Sequence, residues 1–288
     1  MNVLVTGNLG YIGSILTDEL LKLNFNVVGL DNNYFKDCKL FNKKNNFKQI
    51  VRDIRDINHN DLKNIDFIIH LAGLSNDPLG ELNKKLTMDI NFRSTIKIAK
   101  LAKKMGVKRF VYASTQSLYG ISNSNIKIKE NTKKINPLTA YALSKWKSEK
   151  ELLKLSSKTF SVTIFRPSTV YGASQRLRCD IVFNNLMASA YTTKTIDILT
   201  DGSPWRPVIH VKDVCKAFIA GIIAPINIVE SQVFNVGSFD GNFRVRDLAR
   251  IVKSKFKKSK IKYLNSHTDP RSYQVSFDKI FSKLSNYY

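Results

Sequence analysis

Val3-Leu4-Val5-Thr6-Gly7-Asn8-Leu9-Gly10-Tyr11-Ile12-Gly13, at the head of the chain, sets the architecture of most of the molecule. Three aliphatic residues in a row read as a short strand buried on both faces. Glycines at 7, 10 and 13 come directly after it. Gly7 permits a sharp strand-to-helix turn, Gly10 lets backbone approach a pyrophosphate, and Gly13 lets the helix pack closely on the sheet. From Tyr11 to Leu23 apolar residues recur at helical spacing, at Ile12, Ile15, Leu16, Leu20 and Leu23. A helix opening at Tyr11 and Ile12 offers unpaired N–H groups and the positive end of its dipole to phosphates. Glycines alone would serve any tight turn; a strand before and a helix after make this a candidate dinucleotide site.

The next strand, Val27-Val28-Gly29-Leu30, ends at Asp31, followed by Asn32. A carboxylate there accepts hydrogen bonds from both hydroxyls of an adenosine ribose and repels a 2′-phosphate, which favours NAD(H) over NADP(H). Further strands are expected at Phe67–Leu71, Arg109–Ala113 and Val162–Phe165, with helices over about Leu86–Met105 and Thr139–Leu155. Continuous apolar strands alternating with helices imply an α/β fold with a doubly wound parallel sheet over residues 1–167. After Pro167 the pattern loosens into a smaller α/β lobe over 168–288. Residues 204–224, with Pro207-Val208-Ile209-His210-Val211 and a helix behind them, are expected to return and complete the large sheet.

Composition bounds the function. The 288 residues are 43% hydrophobic, and 46 Lys+Arg against 23 Asp+Glu give a net charge of +23. The lysines are dispersed, as in Lys43-Lys44-Asn45-Asn46 and Lys127-Ile128-Lys129. That pattern reads as a solvated surface, and no nucleic-acid recognition motif accompanies it. No apolar run reaches the roughly 18 residues of a membrane span; the longest, Ala217 to Val229, is broken by Pro225. The N-terminus lacks the charged region of a secretory signal, so a cytoplasmic location is expected. Cys38, Cys179 and Cys215 lie far apart without a C-x-x-C, and neither a disulfide framework nor a metal site is expected.

Tyr141-Ala142-Leu143-Ser144-Lys145 sets a phenol and an ammonium on one helical face. A tyrosine with a pKa near 10 is a poor base at neutral pH, and a close cation stabilises its phenolate. With 11 tyrosines in so basic a chain the spacing alone is weak. Ser114-Thr115-Gln116-Ser117, at the end of a predicted strand, strengthens it: a hydroxyl there can bond a substrate oxygen and share its proton with the phenol.

Taken together these segments resemble the extended short-chain dehydrogenase/reductase superfamily, in its NAD-dependent nucleotide-sugar epimerase/dehydratase branch. The resemblance rests on the glycine turn, Asp31, Asp53-Ile54-Arg55, His70-Leu71-Ala72-Gly73, Asn91, Ser114 to Gly120, Tyr141 with Lys145, Arg166 to Gly172, Asn184-Asn185-Leu186 and Arg206 to Val211. It implies a Rossmann-type domain that binds NAD, with Asp53 and Ile54 against adenine and Leu71, Ala72, Gly73, Asn91, Ser114 and Pro167 along the cofactor groove. It further implies a catalytic triad of Thr115, Tyr141 and Lys145. Gln116, Thr169, Asn185, Arg206 and Arg271 match positions that hold a nucleotide-diphosphate sugar, and guanidinium groups suit its diphosphate.

Two departures narrow the chemistry. Sugar 4,6-dehydratases carry Asp-Glu after the catalytic Thr, related decarboxylases keep Glu at the position of Ser117, and combined 3,5-epimerase-reductases place Cys there. Gln116 and Ser117 supply none of these groups, which leaves oxidation and reduction at one carbinol. The expected activity is C4 epimerisation through a transient 4-keto sugar; a nucleotide-4-keto-sugar reductase and a non-catalytic dinucleotide-binding protein are the alternatives. Family members also continue for some tens of residues past the region of Asp278–Tyr288, so a short substrate lobe is expected here. Homodimerisation through the two helices near 86–105 and 139–155 is a further implication.

Overall fold

The computed structural model describes residues 1–41, 46–122, 126–264 and 272–288, and every count is of those residues. Strands β1 (Asn2–Thr6), β2 (Asn26–Asp31), β3 (Lys48–Val51), β4 (Phe67–His70), β5 (Arg109–Ala113) and β6 (Ser161–Pro167) belong to one parallel sheet. Strands β7 (Thr169–Tyr171), β8 (Thr195–Ile198) and β9 (Trp205–His210) leave it, and β10 (Gln232–Val236) returns to its edge. The order among the described residues is β10-β6-β5-β4-β1-β2-β3. Register is set by the continuous apolar runs: Val3 pairs with Val27 and Phe67, and Thr6 with Leu30 and His70. Alternate residues feed opposite faces, Val3 and Val5 into one core and Leu4 into the other. Both faces must therefore be covered.

Helix α1 (Tyr11–Lys22) covers one face through Leu16 and Leu20. On the chain's way to the other face come two short helices, α2 (Asp77–Leu82) and α3 (Lys84–Met88). The opposite core takes Ile98, Ala99 and Ala102 from α4 (Ser94–Lys104) and Leu152 from α5 (Ala140–Leu155). The smaller core is built by Leu186 and Ala190 on α6 (Val182–Thr192), Ile196 on β8 and Val208 on β9. Helix α7 (Val211–Ile223) joins α1 in the first core, and α8 (Ile226–Val229) leads into β10. Strand β11 (Asn242–Arg244) pairs antiparallel with β9, which pairs in parallel with β7. Helix α9 (Val245–Lys255) closes the small core with Leu248 and Val252, and β12 (Lys260–Tyr263) runs parallel to β8. Helix α10 (Asp278–Leu284) buries Ile280 and Leu284 in the first core.

Two expectations are corrected. Residues 204–224 complete the layer but not the sheet: α7 covers the large sheet, whereas β9 lies in the three-stranded β11-β9-β7 sheet. The reason is that β9 serves two cores, giving Val208 to the small one and Ile209 to the large one. The sheet is completed by β10, whose Phe234 and Val236 are fully buried. The single helix expected near 86–105 is interrupted by a π-helical turn, Asp89–Arg93. No helix among the described residues is long and apolar enough to cross a membrane.

Candidate active site

The dinucleotide turn is shaped by backbone. Gly7 sits at φ +74°, and a Cβ there would come within 2.8 Å of the Ala72 nitrogen. At Gly13 a Cβ would lie 2.1 Å from the Gly7 carbonyl oxygen. Only glycine fits either place. Gly7 N–H donates to Leu30 O, and Leu9 N–H to the Asp31 carboxylate at 3.2 Å. Asp31 also accepts from Asn33 N–H at 2.8 Å, while Asn32 Oδ1 accepts from Tyr34 N–H. Burial raises the Asp31 pKa, and these N–H donors pull against it. No side chain caps the start of α1 and its first turn holds no acidic residue, so the N–H groups of Tyr11, Ile12 and Gly13 suit an anion. A cradle that a Cβ would fill, an uncapped helix start and a half-buried carboxylate together fit the pyrophosphate and ribose of NAD.

The other residues expected at the cofactor are each held by identifiable contacts. Leu71 N–H donates to Thr6 O, bringing Leu71-Ala72-Gly73 beside the glycines. Asn91 lies in the π turn, where its side chain accepts from Leu74 N–H at 2.8 Å and donates to Leu74 O at 3.0 Å. It therefore shapes the groove wall by holding the loop after β4. Asp53 caps the turn at 54–56 and pairs with Arg55, whose hydrogen bonds lower its pKa. Ser114 departs from expectation: its hydroxyl bonds the buried Glu149 carboxylate. Pro167 ends β6, next to Ser168.

Tyr141 occupies the first turn of α5, which is capped by the Thr139 hydroxyl. Burial pushes its phenol up to about 12; hydrogen bonding with Thr115 and the charge of Arg178 act downward, and the charge of Asp77 upward. Lys145 is buried on the same helix, but its ammonium donates to Ala113 O at 2.7 Å and lies 4.7 Å from the centre of the Tyr112 ring. Desolvation brings its pKa down to about 8, against the pull of Glu149. The expected direct support of the phenol by the ammonium is thus replaced here by Thr115. Thr115 Oγ1 also accepts from Ser117 N–H at 3.1 Å.

Beside Tyr141 opens a cleft of ≈ 160 Å³, lined among others by Asp77, Ser117, Thr139, Thr169, Arg206 and Tyr273. Of the residues expected at a substrate, Thr169 and Arg206 are here. Gln116 is not. It is 2% exposed, donating to Arg166 O and Val236 O and accepting from Ser168, so it forms the floor beneath the cleft. Asn185 does not line the cleft either, and its side chain donates to Cys179 O. Its neighbour Asn184 donates to Tyr11 Oη at 3.2 Å and accepts from Gly172 N–H. Arg271 lies outside the described residues.

Residues 3–237 match the model of the NAD dependent epimerase/dehydratase family. The chain belongs to this family. A putative UDP-glucose 4-epimerase of Methanocaldococcus jannaschii is 32% identical over 82% of this chain and 76% of its own length. The UDP-glucuronate 4-epimerase of Thermodesulfobacterium geofontis is 30% identical over 92% of this chain and 84% of its own. The solved structure of MoeE5 in complex with UDP-glucuronic acid and NAD superposes with a TM-score of 0.86 at 26% identity, covering 99% of this chain and 93% of that one.

Within the family frame, two features escaped the sequence reading. Arg178, in the loop after β7, bonds Ser75 and Asp180, and its charge acts on both the Tyr11 and Tyr141 phenols. Under the cleft, Arg166 pairs with Glu149 at 2.6 Å with both side chains at most 3% exposed. Arg166 also donates to Tyr119 Oη at 2.9 Å, which donates to Asn235 at 2.6 Å. Burial opposes the guanidinium charge, yet Glu149 and Tyr119 outweigh it and raise the Arg166 pKa. Arg166, Glu149 and Tyr119 stood in a quoted motif or helix, whereas Arg178 and Asn235 did not; only the fold brings them together.

Proposed function

We propose that this protein is an NAD-dependent nucleotide-sugar epimerase acting at C4. The observation that carries the reading is Tyr141: its buried phenol stands in the first turn of α5, beside the cleft, where Thr115 and Arg178 act downward on its pKa against burial. When bound, NAD supplies a reversible two-electron acceptor for the sugar carbinol. Tyr141 Oη takes the O4 proton as the carbinol becomes a ketone, and gives it back when the ketone has turned and is reduced on its other face. Thr115 orients the phenol and the sugar oxygen. Lys145 stands four residues along the same helix, and burial brings its pKa down to about 8 against the upward pull of Glu149, so its charge lies close to its titration point. Arg206, with Thr169, holds the substrate from the β9 side. Ser117 faces this cleft and is a poor acid or base, which supports simple oxidation and reduction over loss of water or carbon dioxide.

Incubation with UDP- and dTDP-sugars, products read by NMR, tests this. Epimer formation without net consumption of NAD is expected, with Tyr141→Phe lowering kcat by roughly 10²–10⁴. Stoichiometric consumption of NADH with a 4-keto sugar, and no epimer, would replace the reading with a reductase. Three free thiols fit the reducing cytoplasm as the place of action. The half-buried Phe92, Ile96 and Leu101 along the π turn and α4, rimmed by Arg93, Lys97 and Lys100, support a homodimer joined through α4 and α5. Because the rim cations repel, sedimentation should show a dimer that tightens with salt; monomer alone at micromolar concentration, with and without salt, refutes it.

A further inference from the structure

Against the dispersed cations of the chain as a whole, one stretch of the small lobe stands apart. From Leu248 to Leu264 come Arg250 and the lysines at 253, 255, 257, 258, 260 and 262, with no acidic residue among them. The fold gathers this stretch at one corner. Ser259 Oγ donates to Ala190 O at 3.1 Å and Lys260 N–H to Lys194 O at 2.9 Å, which ties the turn after α9 to the end of α6. Phe256 packs against the small core, and its ring meets that of Tyr191 edge-on at 6.5 Å. Lys194 Nζ lies 5.5 Å from the centre of the same Tyr191 ring. Lys253 serves α9 itself, donating to Lys257 O and Ser259 O at the helix end.

Lys255, Lys257, Lys258 and Lys260 are exposed, and among the described residues none of them forms an ion pair. The acids on the same elements leave them uncompensated: Asp247 pairs with Arg250 at 3.3 Å, and Asp197 stands across β8 from Lys262. We infer that this corner docks on an anionic lipid bilayer. Lysine ammonium groups are strongly hydrated point charges, suited to the diffuse attraction of a headgroup layer. A DNA duplex is held instead through guanidinium forks and an element laid into a groove. The amphipathic ring of a tyrosine settles at headgroup depth, and Tyr191, 69% exposed beside Lys194, is placed to do so. None of these residues lines the sugar cleft, so the inference is independent of the epimerase reading.

Co-sedimentation of the full chain with vesicles of phosphatidylcholine, alone or with about a third of phosphatidylglycerol, tests this at roughly 0.1 M salt. The anionic vesicles should be bound about a hundredfold more tightly than phosphatidylcholine alone. Lys255→Gln, Lys257→Gln and Lys258→Gln together keep the exposed stems and remove three charges. Each contributes about fivefold at a bilayer surface, so most of that preference should be lost. The control is Lys127→Gln, Lys129→Gln and Lys133→Gln, three exposed lysines around Ile128, which packs on the large core. It lowers the net charge by the same amount, but exposed charges beyond about 8–10 Å are screened, so it should stay within about threefold of wild type. Tyr191→Ala should weaken anionic binding about fivefold, the size of a ring partly withdrawn from water. Equal binding to the two kinds of vesicle overturns the inference, as does an equal loss in the two triple variants. A corner variant that loses a DNA duplex while keeping the vesicles overturns it in favour of nucleic acid.

Discussion

The glycine turn and the sugar cleft, neighbours in space, are built by different means. The turn is made of backbone: Gly7 and Gly13 lie where a Cβ would collide with main-chain atoms, and its donors are peptide N–H groups. The cleft is made of side chains from α2, β7, β9 and the loops beside them, over a floor supported by a buried ion pair. One is specified by eleven contiguous residues, the other by segments between 75 and 275. Backbone sites are legible because steric exclusion is local. Side-chain sites depend on which element turns which way.

The contrast can be broken most severely at the ion pair. Glu149→Ala leaves Arg166 buried without its partner, and a loss of about 3–5 kcal/mol is expected from such a truncation. Urea unfolding should show it, with a Glu149→Gln variant falling between the two. An unchanged midpoint would mean that the floor of the cleft does not rest on this pair. Gly13→Ala should instead leave the cleft alone and lower NAD affinity about tenfold to a hundredfold, or roughly 1.4–2.7 kcal/mol. Fluorescence titration with NADH, alongside UDP-sugar calorimetry, reads both quantities. Equal losses in the two would erase the distinction between turn and cleft.

The smallest effect sharpens the comparison through acid. His70 is fully buried between Thr6 at 2.7 Å and Thr95 at 2.9 Å, next to the turn. Desolvation, with a minor push from Lys145, depresses its pKa to about 3. The folded state therefore binds fewer protons than the unfolded state between pH 3 and 6.5, and stability is lost as pH falls through that window. At pH 5.5 the expected loss is about 1.4 kcal/mol. Thermal unfolding at pH 7.5 and 5.5 should show it in wild type and lose most of it in His70→Gln. An identical pH response in the variant would contradict this.

The fold was largely written in hydrophobic rhythm. Five of the parallel strands and the helices α1, α5 and α7 follow from apolar runs and helical spacing. Strands β3 and β10 gave no such signal, because the first is a half-exposed edge and the second carries a buried asparagine, Asn235, in mid-run. Its side chain accepts from Tyr119 and donates to Ile128 O and Ser276 O, and its N–H donates to Glu130, all distant in sequence. The π turn at Asp89–Arg93 was equally silent, since its effect, aiming Asn91 at the loop after β4, arises only in three dimensions. The same holds for Gln116 and Asn185. Their residue types suit a sugar, but Gln116 is turned under the cleft while its neighbour Ser117 faces it, and Asn185 is held at Cys179 O.

The late return of β10 has a consequence for how the molecule comes into being. The large sheet spans residues 2 to 236, and its last strand is synthesised more than sixty residues after the strand it joins. Until then β6 is an open edge of unpaired N–H and C=O groups, and Arg166 lacks the Tyr119–Asn235 link that completes its surroundings. An emerging chain thus carries a sticky margin beside a half-neutralised charge until its C-terminal quarter arrives. The parallel sheet is consequently complete only with residues 232–236, and severing the chain near residue 167 is expected to yield an aggregating fragment.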